Sequence, residues 1–172
     1  MSARRARKAA RDEPRLRPVG VISSTLRSRR GAPMQGFEGA PDAWLEVHPW
    51  ASRALQGIAT GDELIVITWF HRARRDTLRV HPRSDPRNPL AGVFLTRSAD
   101  RPNPLGLHPV TVRSVEGTRL RIGPIEAIDG TPVVDIKPVL GRPGAGVSPR
   151  ADRSPRTRSR TRSRPGTWRT RR

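Results

Sequence analysis

The chain has 172 residues, enough for one domain with a core of its own and too few for two ordinary ones, so one core must carry the function. Its 34 basic and 15 acidic residues give a net charge of +19, more typical of a nucleic-acid binder than of an ordinary metabolic enzyme. With no cysteine, disulfides, Cys-type zinc sites and thiol nucleophiles are excluded; no apolar run is long enough to span a bilayer and no secretory signal opens the chain, so a cytoplasmic protein is expected.

Residues 1–16 lack an apolar periodicity that could bury them and read as a disordered basic arm. Strand signals follow, rich in Val, Ile and Thr and bounded by Gly, Pro or Asp: Val19 to Ser23, Trp44 to His48, Leu64 to Phe70, Gly92 to Thr96, Pro109 to Val115, Arg119 to Ile122 and Val133 to Ile136. The one helix expected is Pro49 to Gln56, opened by proline and closed by Gly57. Glu116-Gly117 and Asp129-Gly130 carry tight-turn chemistry, because glycine reaches positive φ without steric cost. Residues 141–172, built from Arg, Ser, Thr, Pro and Gly, read as a disordered tail.

Charge follows this division. Met1 to Arg17 holds 7 basic and 2 acidic residues and Leu140 to Arg172 holds 11 and 1, which leaves only +4 for the stretch between. The domain over 17–140 is therefore nearly ordinary, and the ends are the cationic part. Closely spaced short strands predict an all-β domain, a barrel or a sandwich. Long helices alternating with strands are missing, and so is a GxGxxG element after a strand, which argues against a Rossmann-type fold. His48, His71, His81 and His108 show no HxH or HExxH spacing, so no metal is expected.

Three blocks go further: Gly92 to Leu107 (GVFLTRSADRPNPLGL), Ile125 to Pro138 (IEAIDGTPVVDIKP) and Trp69-Phe70-His71. Together they resemble the signature of the TsaA-like (TrmO-type) methyltransferases, in which TRSxxRPNPxG and DGTPVxDIKP recur in this order. Val19 to Ile22 and Ala32 to Gly36 are similar to that family's first strand and following loop, so the resemblance covers about 120 residues. It implies a single small non-Rossmann β-barrel, working as a homodimer, that uses S-adenosylmethionine to N-methylate threonylcarbamoyladenosine beside the anticodon of tRNA.

The resemblance also implies residue roles. Cofactor contacts fall on Pro33, Met34 and Gln35, on His71 and Arg72, on Arg97 and Leu107, and on the turn Glu126, Ala127, Ile128 and Asp129. Arg97 suits the cofactor's carboxylate, since a planar guanidinium grips it through two hydrogen bonds. Methyl transfer from a sulfonium needs positioning and one proton acceptor, for which Asp129 and His71 are the candidates. Arg101, Asn103 and Lys137 are the candidates for substrate contact; Lys137 also shares a strand face with Asp135 and so suits an ion pair. The chain departs from the family pattern at Met34, Arg72, Glu126 and Val139. The rival reading is a non-enzymatic basic β-barrel that binds RNA, weakened by few aromatics, most in apolar runs that look like core.

Overall fold

A computed structural model describes residues 15–140. The basic arm, apart from Arg15 and Leu16, and the tail over 141–172 lie outside the described residues. The strands are β1 (Gly20–Ser23), β2 (Ala43–Val47), β3 (Glu63–Trp69), β4 (Arg79–Val80), β5 (Ala91–Gly92), β6 (Leu105–Glu116), β7 (Arg119–Gly123) and β8 (Pro132–Pro138). Six of them close an antiparallel barrel in the order β1-β2-β7-β6-β3-β8, with β8 pairing back onto β1. Of the two architectures open from strand spacing, the barrel is the one formed; closure leaves no unpaired edge among these strands.

Alternation explains the closure. β2 turns Ala43, Leu45 and Val47 inward, β3 Leu64, Val66 and Thr68, and β6 Gly106, His108, Val110 and Val112. The core is Ile22, Leu45, Val66, Leu120, Ile122 and Val133 with their aliphatic neighbours. Contrary to the expectation that aromatics occupy the core, no Phe or Trp is buried among the described residues. A six-stranded barrel is narrow and fills with branched aliphatics, whereas Trp44 and Trp69 fall at outward positions. There the guanidinium carbons of Arg119 and Arg75 lie 4.5 and 5.1 Å from the ring centroids.

Two strand expectations need correction, while the expected helix forms with 3-10 geometry. Gly92 to Thr96 is not a strand: the two-residue β5 pairs with β4, and a 3-10 turn over Val93–Leu95 follows. Only Val93 finds an inward place, while Phe94 and Leu95 are exposed, so no alternating face exists. Pro49–Leu55 is a 3-10 helix in which the Ala51 N–H donates to the His48 carbonyl at 2.9 Å. β6 does not begin at Pro109; that proline sits mid-strand opposite Ile65, and pairing runs back to Leu105 opposite Trp69. The Glu116-Gly117 and Asp129-Gly130 turns form as expected, with φ of 60° at Gly117 and 76° at Gly130.

Candidate functional site

A cleft of about 600 Å³ opens where β3 ends and β6 begins. Its walls come from five distant parts of the chain: the loop at Pro33, the end of β3 at His71, the segment Val80 to Ser84, the runs Leu95 to Arg101 and Leu105 to Leu107, and the segment Glu126 to Ile128. Every residue expected to contact cofactor or substrate lines it except Asp129, Asn103 and Lys137.

Register builds the inner wall. Thr68 is the Cα partner of Gly106, and Val66 is the partner of His108, so Thr68 and His108 share the inward face of the barrel, buried behind the cleft-lining Gly106. A side chain on Gly106 would sit 2.5 Å from His108 Nε2, Phe70 Cζ and Thr68 Oγ1, so only glycine lets these three meet. The His108 ring is clamped edge-on by Phe70, with centroids 5.7 Å apart. Gly36 plays a similar part on the other side, where a Cβ would lie 2.8 Å from the Pro124 carbonyl oxygen. That close approach seats the Pro33 loop on the segment that carries Glu126.

The arginines on the walls divide by what they already hold. Arg101 is spent on backbone: its Nε donates to the Ser98 carbonyl at 2.9 Å and one terminal nitrogen to the Val93 carbonyl at 2.9 Å and to that of Thr96. It therefore braces the 93–98 turn from the cleft wall, and its other terminal nitrogen has no partner among the described residues. Arg29 pairs with Asp100 through two bonds of 2.9 and 3.0 Å, and Asp100 also accepts the Arg74 N–H at 2.9 Å. Those donors, the Arg29 bonds first, hold the Asp100 carboxyl below its usual range against the opposing effect of burial. Arg83 pairs with Glu38 at 2.9 Å. Arg72 reaches only the Arg27 carbonyl, at 3.3 Å, and Arg97 has no carboxylate partner among the described residues.

His71 lines the cleft with a buried Nδ1 that has no hydrogen-bond partner among the described residues, the one such side-chain atom found there. Burial and, secondarily, the neighbouring Arg72 charge lower its pKa, so the neutral imidazole is favoured. Asp129 faces elsewhere: its carboxylate accepts the Ser24 N–H at 3.0 Å and pairs with Arg27, which pins segment 24–27 to the turn. Asn103 is exposed outside the lining, and Lys137 pairs with Asp135 at 2.8 Å on the outer face of β8. His108, Thr68 and Asp100 were missed by the motif reading. The first two carried a signal, being polar residues at inward positions of alternating strands. Among the described residues, no group of three or more His, Asp or Glu is placed to hold a metal ion, and no helix is long and apolar enough to cross a membrane.

Fold and cleft together define a small non-Rossmann barrel whose arginine-bearing cavity suits a nucleoside-sized ligand that carries a carboxylate. The chain belongs to the tRNA-methyltransferase O N-terminal domain family, whose profile matches residues 21–142. A probable S-adenosyl-L-methionine-binding protein of Methanothermobacter thermautotrophicus is 40% identical over 126 residues, 73% of this chain and 90% of that protein. An S-adenosyl-L-methionine-binding protein of Archaeoglobus fulgidus is 38% identical over 122 residues, 71% of this chain and 86% of that one. A crystal structure of TrmO from Pseudomonas aeruginosa superposes with a TM-score of 0.60 at 31% identity, covering 74% of this chain and 56% of that one. The chain thus spans little more than half the length of the solved TrmO protein it matches.

Proposed function

We propose that this chain binds S-adenosylmethionine in the cleft and transfers its methyl group to tRNA, with the exocyclic nitrogen of threonylcarbamoyladenosine beside the anticodon as acceptor. The observation that carries this reading is the convergence on one cleft of segments 33–35, 71–72, 97–107 and 126–128, which lie far apart in sequence. Family membership and the names of the relatives supply the cofactor class.

In this reading Arg97 grips the methionine carboxylate, as its freedom from acidic partners allows. The unpartnered Nδ1 of His71 takes a hydrogen bond from or to the ligand, because a buried polar atom left alone costs about 1–3 kcal/mol. Pro33, Met34 and Gln35 close one side, with Leu107 and the backbone of Ala127 and Ile128 on the other. When bound, the sulfonium supplies an activated methyl with a neutral leaving group; the protein's share is orientation and a proton acceptor.

We further propose a cytoplasmic homodimer. Leu78, Phe94 and Leu95 form an apolar surface beside the cleft, the Val93 N–H donating to the Leu78 carbonyl at 2.9 Å, and a second copy would bury it. Sedimentation analysis tests that part: a monomer at micromolar concentration refutes it.

For the activity, calorimetry of S-adenosylmethionine against the wild type and Arg97→Ala is decisive. Loss of a charge-assisted contact predicts affinity weakened by about 2–3 kcal/mol, roughly 30- to 150-fold. Equal affinity in both would remove Arg97 from the site, and no binding by the wild type would return the chain to the non-enzymatic RNA-binding reading. Mass spectrometry of tRNA nucleosides from a deletion strain reads the acceptor directly.

A further inference from the structure

The buried imidazole of His108 is unexplained by cofactor binding. It is 1% exposed inside an aliphatic barrel, yet both ring nitrogens are engaged: one is 2.8 Å from Thr68 Oγ1 and the other 3.0 Å from Glu126 Oε1. Burying a histidine and a threonine at the narrow end of a core costs stability unless every polar atom is paired. Here each is paired, and the chain of bonds ends on a carboxylate at the cleft wall.

Bond chemistry fixes the direction of the relay. An ionised carboxylate only accepts, so His108 Nδ1 carries the hydrogen toward Glu126; in the neutral ring Nε2 then accepts from the Thr68 hydroxyl. Glu126 Oε1 is held by that donor, whereas Oε2 has no hydrogen-bond partner among the described residues and lies on the side of Gly36, and Glu126 itself lines the cleft. Among the described residues no arginine is paired with this carboxylate, in contrast to Asp100 and Asp129. Of Glu126, Asp100 and Asp129, only Glu126 keeps a carboxylate oxygen without a partner among the described residues.

We propose that Glu126 is the proton acceptor of the methyl transfer and that His108, held by Thr68, is the residue that positions it. The assignment rests on the methyltransferase reading above and replaces Asp129, whose carboxylate is committed to Ser24 and Arg27. In the step, the acceptor nitrogen's lone pair forms the N–CH3 bond, and the CH3–S bond breaks with its electron pair passing to sulfur. The N–H pair stays on nitrogen and the proton goes to Glu126 Oε2. Once Oε2 is protonated the carboxyl is neutral and its Oε1 still accepts from His108 Nδ1, while Nε2 still accepts from the Thr68 hydroxyl, so the relay holds Glu126 in place and moves no proton itself.

Two near-isosteric substitutions separate positioning from packing. The amide nitrogen of asparagine falls where His108 Nδ1 stands, and that of glutamine where Nε2 stands. His108→Asn thus keeps a donor toward Glu126 and gives up Thr68, and His108→Gln does the reverse. The test measures kcat and KM for methylation of tRNA from a strain deleted for this gene, together with calorimetric S-adenosylmethionine affinity, for the full chain and its His108→Asn, His108→Gln and Glu126→Gln variants. Glu126→Gln, at the cleft wall and clear of the core, should lower kcat by about 10²- to 10⁴-fold, the usual worth of a general base, with cofactor affinity within threefold. His108→Gln should follow it in kcat, and His108→Asn should recover at least tenfold over His108→Gln.

Retention of kcat by Glu126→Gln, or equal kcat losses in the two His108 variants, would overturn the relay while leaving the methyltransferase reading intact. A wild type that binds the cofactor but methylates no tRNA would overturn both.

Discussion

Gly106→Ala probes the packing on which the site depends. The added methyl carbon would stand 2.5 Å from His108 Nε2, Phe70 Cζ and Thr68 Oγ1 at once. Comfortable contact needs about 3.5–4.0 Å, so a displacement of about 1 Å is required of a ring, a hydroxyl or a strand that is itself paired with β3 at this point. Overpacking of this kind costs roughly 1–3 kcal/mol. Prising Thr68 from His108 adds roughly 1–3 kcal/mol for buried groups left unpaired. The two overlap, giving about 2–5 kcal/mol against a total stability of about 5–15 kcal/mol. Urea titration should show the midpoint falling with an unchanged m value, and kcat should fall with it because His108 no longer holds Glu126. A loss below about 0.5 kcal/mol would refute the claim that glycine is required at this position.

Other consequences follow from the same geometry. Because the folded state favours neutral His71 below the ordinary value of 6.5, the unfolded chain takes up that proton first as pH falls. Stability should therefore drop as pH is lowered through about 6.5, until the folded value is passed, and His71→Gln should flatten that part of a curve from denaturant midpoints at pH 7.5 and 5.5. Asp100 behaves oppositely: with its pKa lowered by Arg29, its contribution is present above the ordinary carboxylate range and disappears as pH falls through the lowered value. Asp100→Asn should cost about 1 kcal/mol at neutral pH, the half-exposed Arg29 limiting the gain, and little in acid. Deleting residues 141–172 removes eleven arginines and should weaken tRNA binding and flatten its log–log salt dependence, with S-adenosylmethionine affinity unchanged. Identical salt slopes for the two chains would show that the tail plays no part.

The fold and site were legible to different degrees for physical reasons. Runs rich in Val, Ile and Thr between Gly, Pro and Asp located the six barrel strands, since such residues suit a pleated surface half turned to a core. Gly92 to Thr96 broke the rule because its apolar residues serve an exposed turn, so β propensity had no face to act on. Pro109 misled in the opposite direction: treated as a boundary, it shortened β6 by four residues, Leu105 to Leu107 at the cleft wall and the buried His108 behind them. Motif resemblance gathered the cleft lining, yet it assigned Arg101 and Asp129 by residue type. A guanidinium consumed by three carbonyls and a carboxylate tied to Ser24 and Arg27 are facts of tertiary pairing that local sequence does not display.

His108 shows how such a residue becomes visible. Taken alone, a histidine without metal spacing has no assigned part. Set into the alternation Gly106, His108, Val110, Val112, it is a titratable ring on the inward face of a strand, where an aliphatic would normally stand. The glycine two residues before it leaves room, and the threonine opposite that glycine supplies one bond. What the sequence withholds is the other partner, Glu126, which arrives from a segment of no regular structure between β7 and β8. The barrel register fixes Thr68, Gly106 and His108 rigidly, and the seating of Gly36 against Pro124 carries Glu126 to them. A substitution that lifts the Gly36 loop, such as Gly36→Val, should therefore weaken the Glu126 contact and lower kcat while Thr68 and His108 stay paired. Two-dimensional NMR of the histidine ring nitrogens can follow that change, and an unaltered His108 Nδ1 resonance in the variant would refute the dependence.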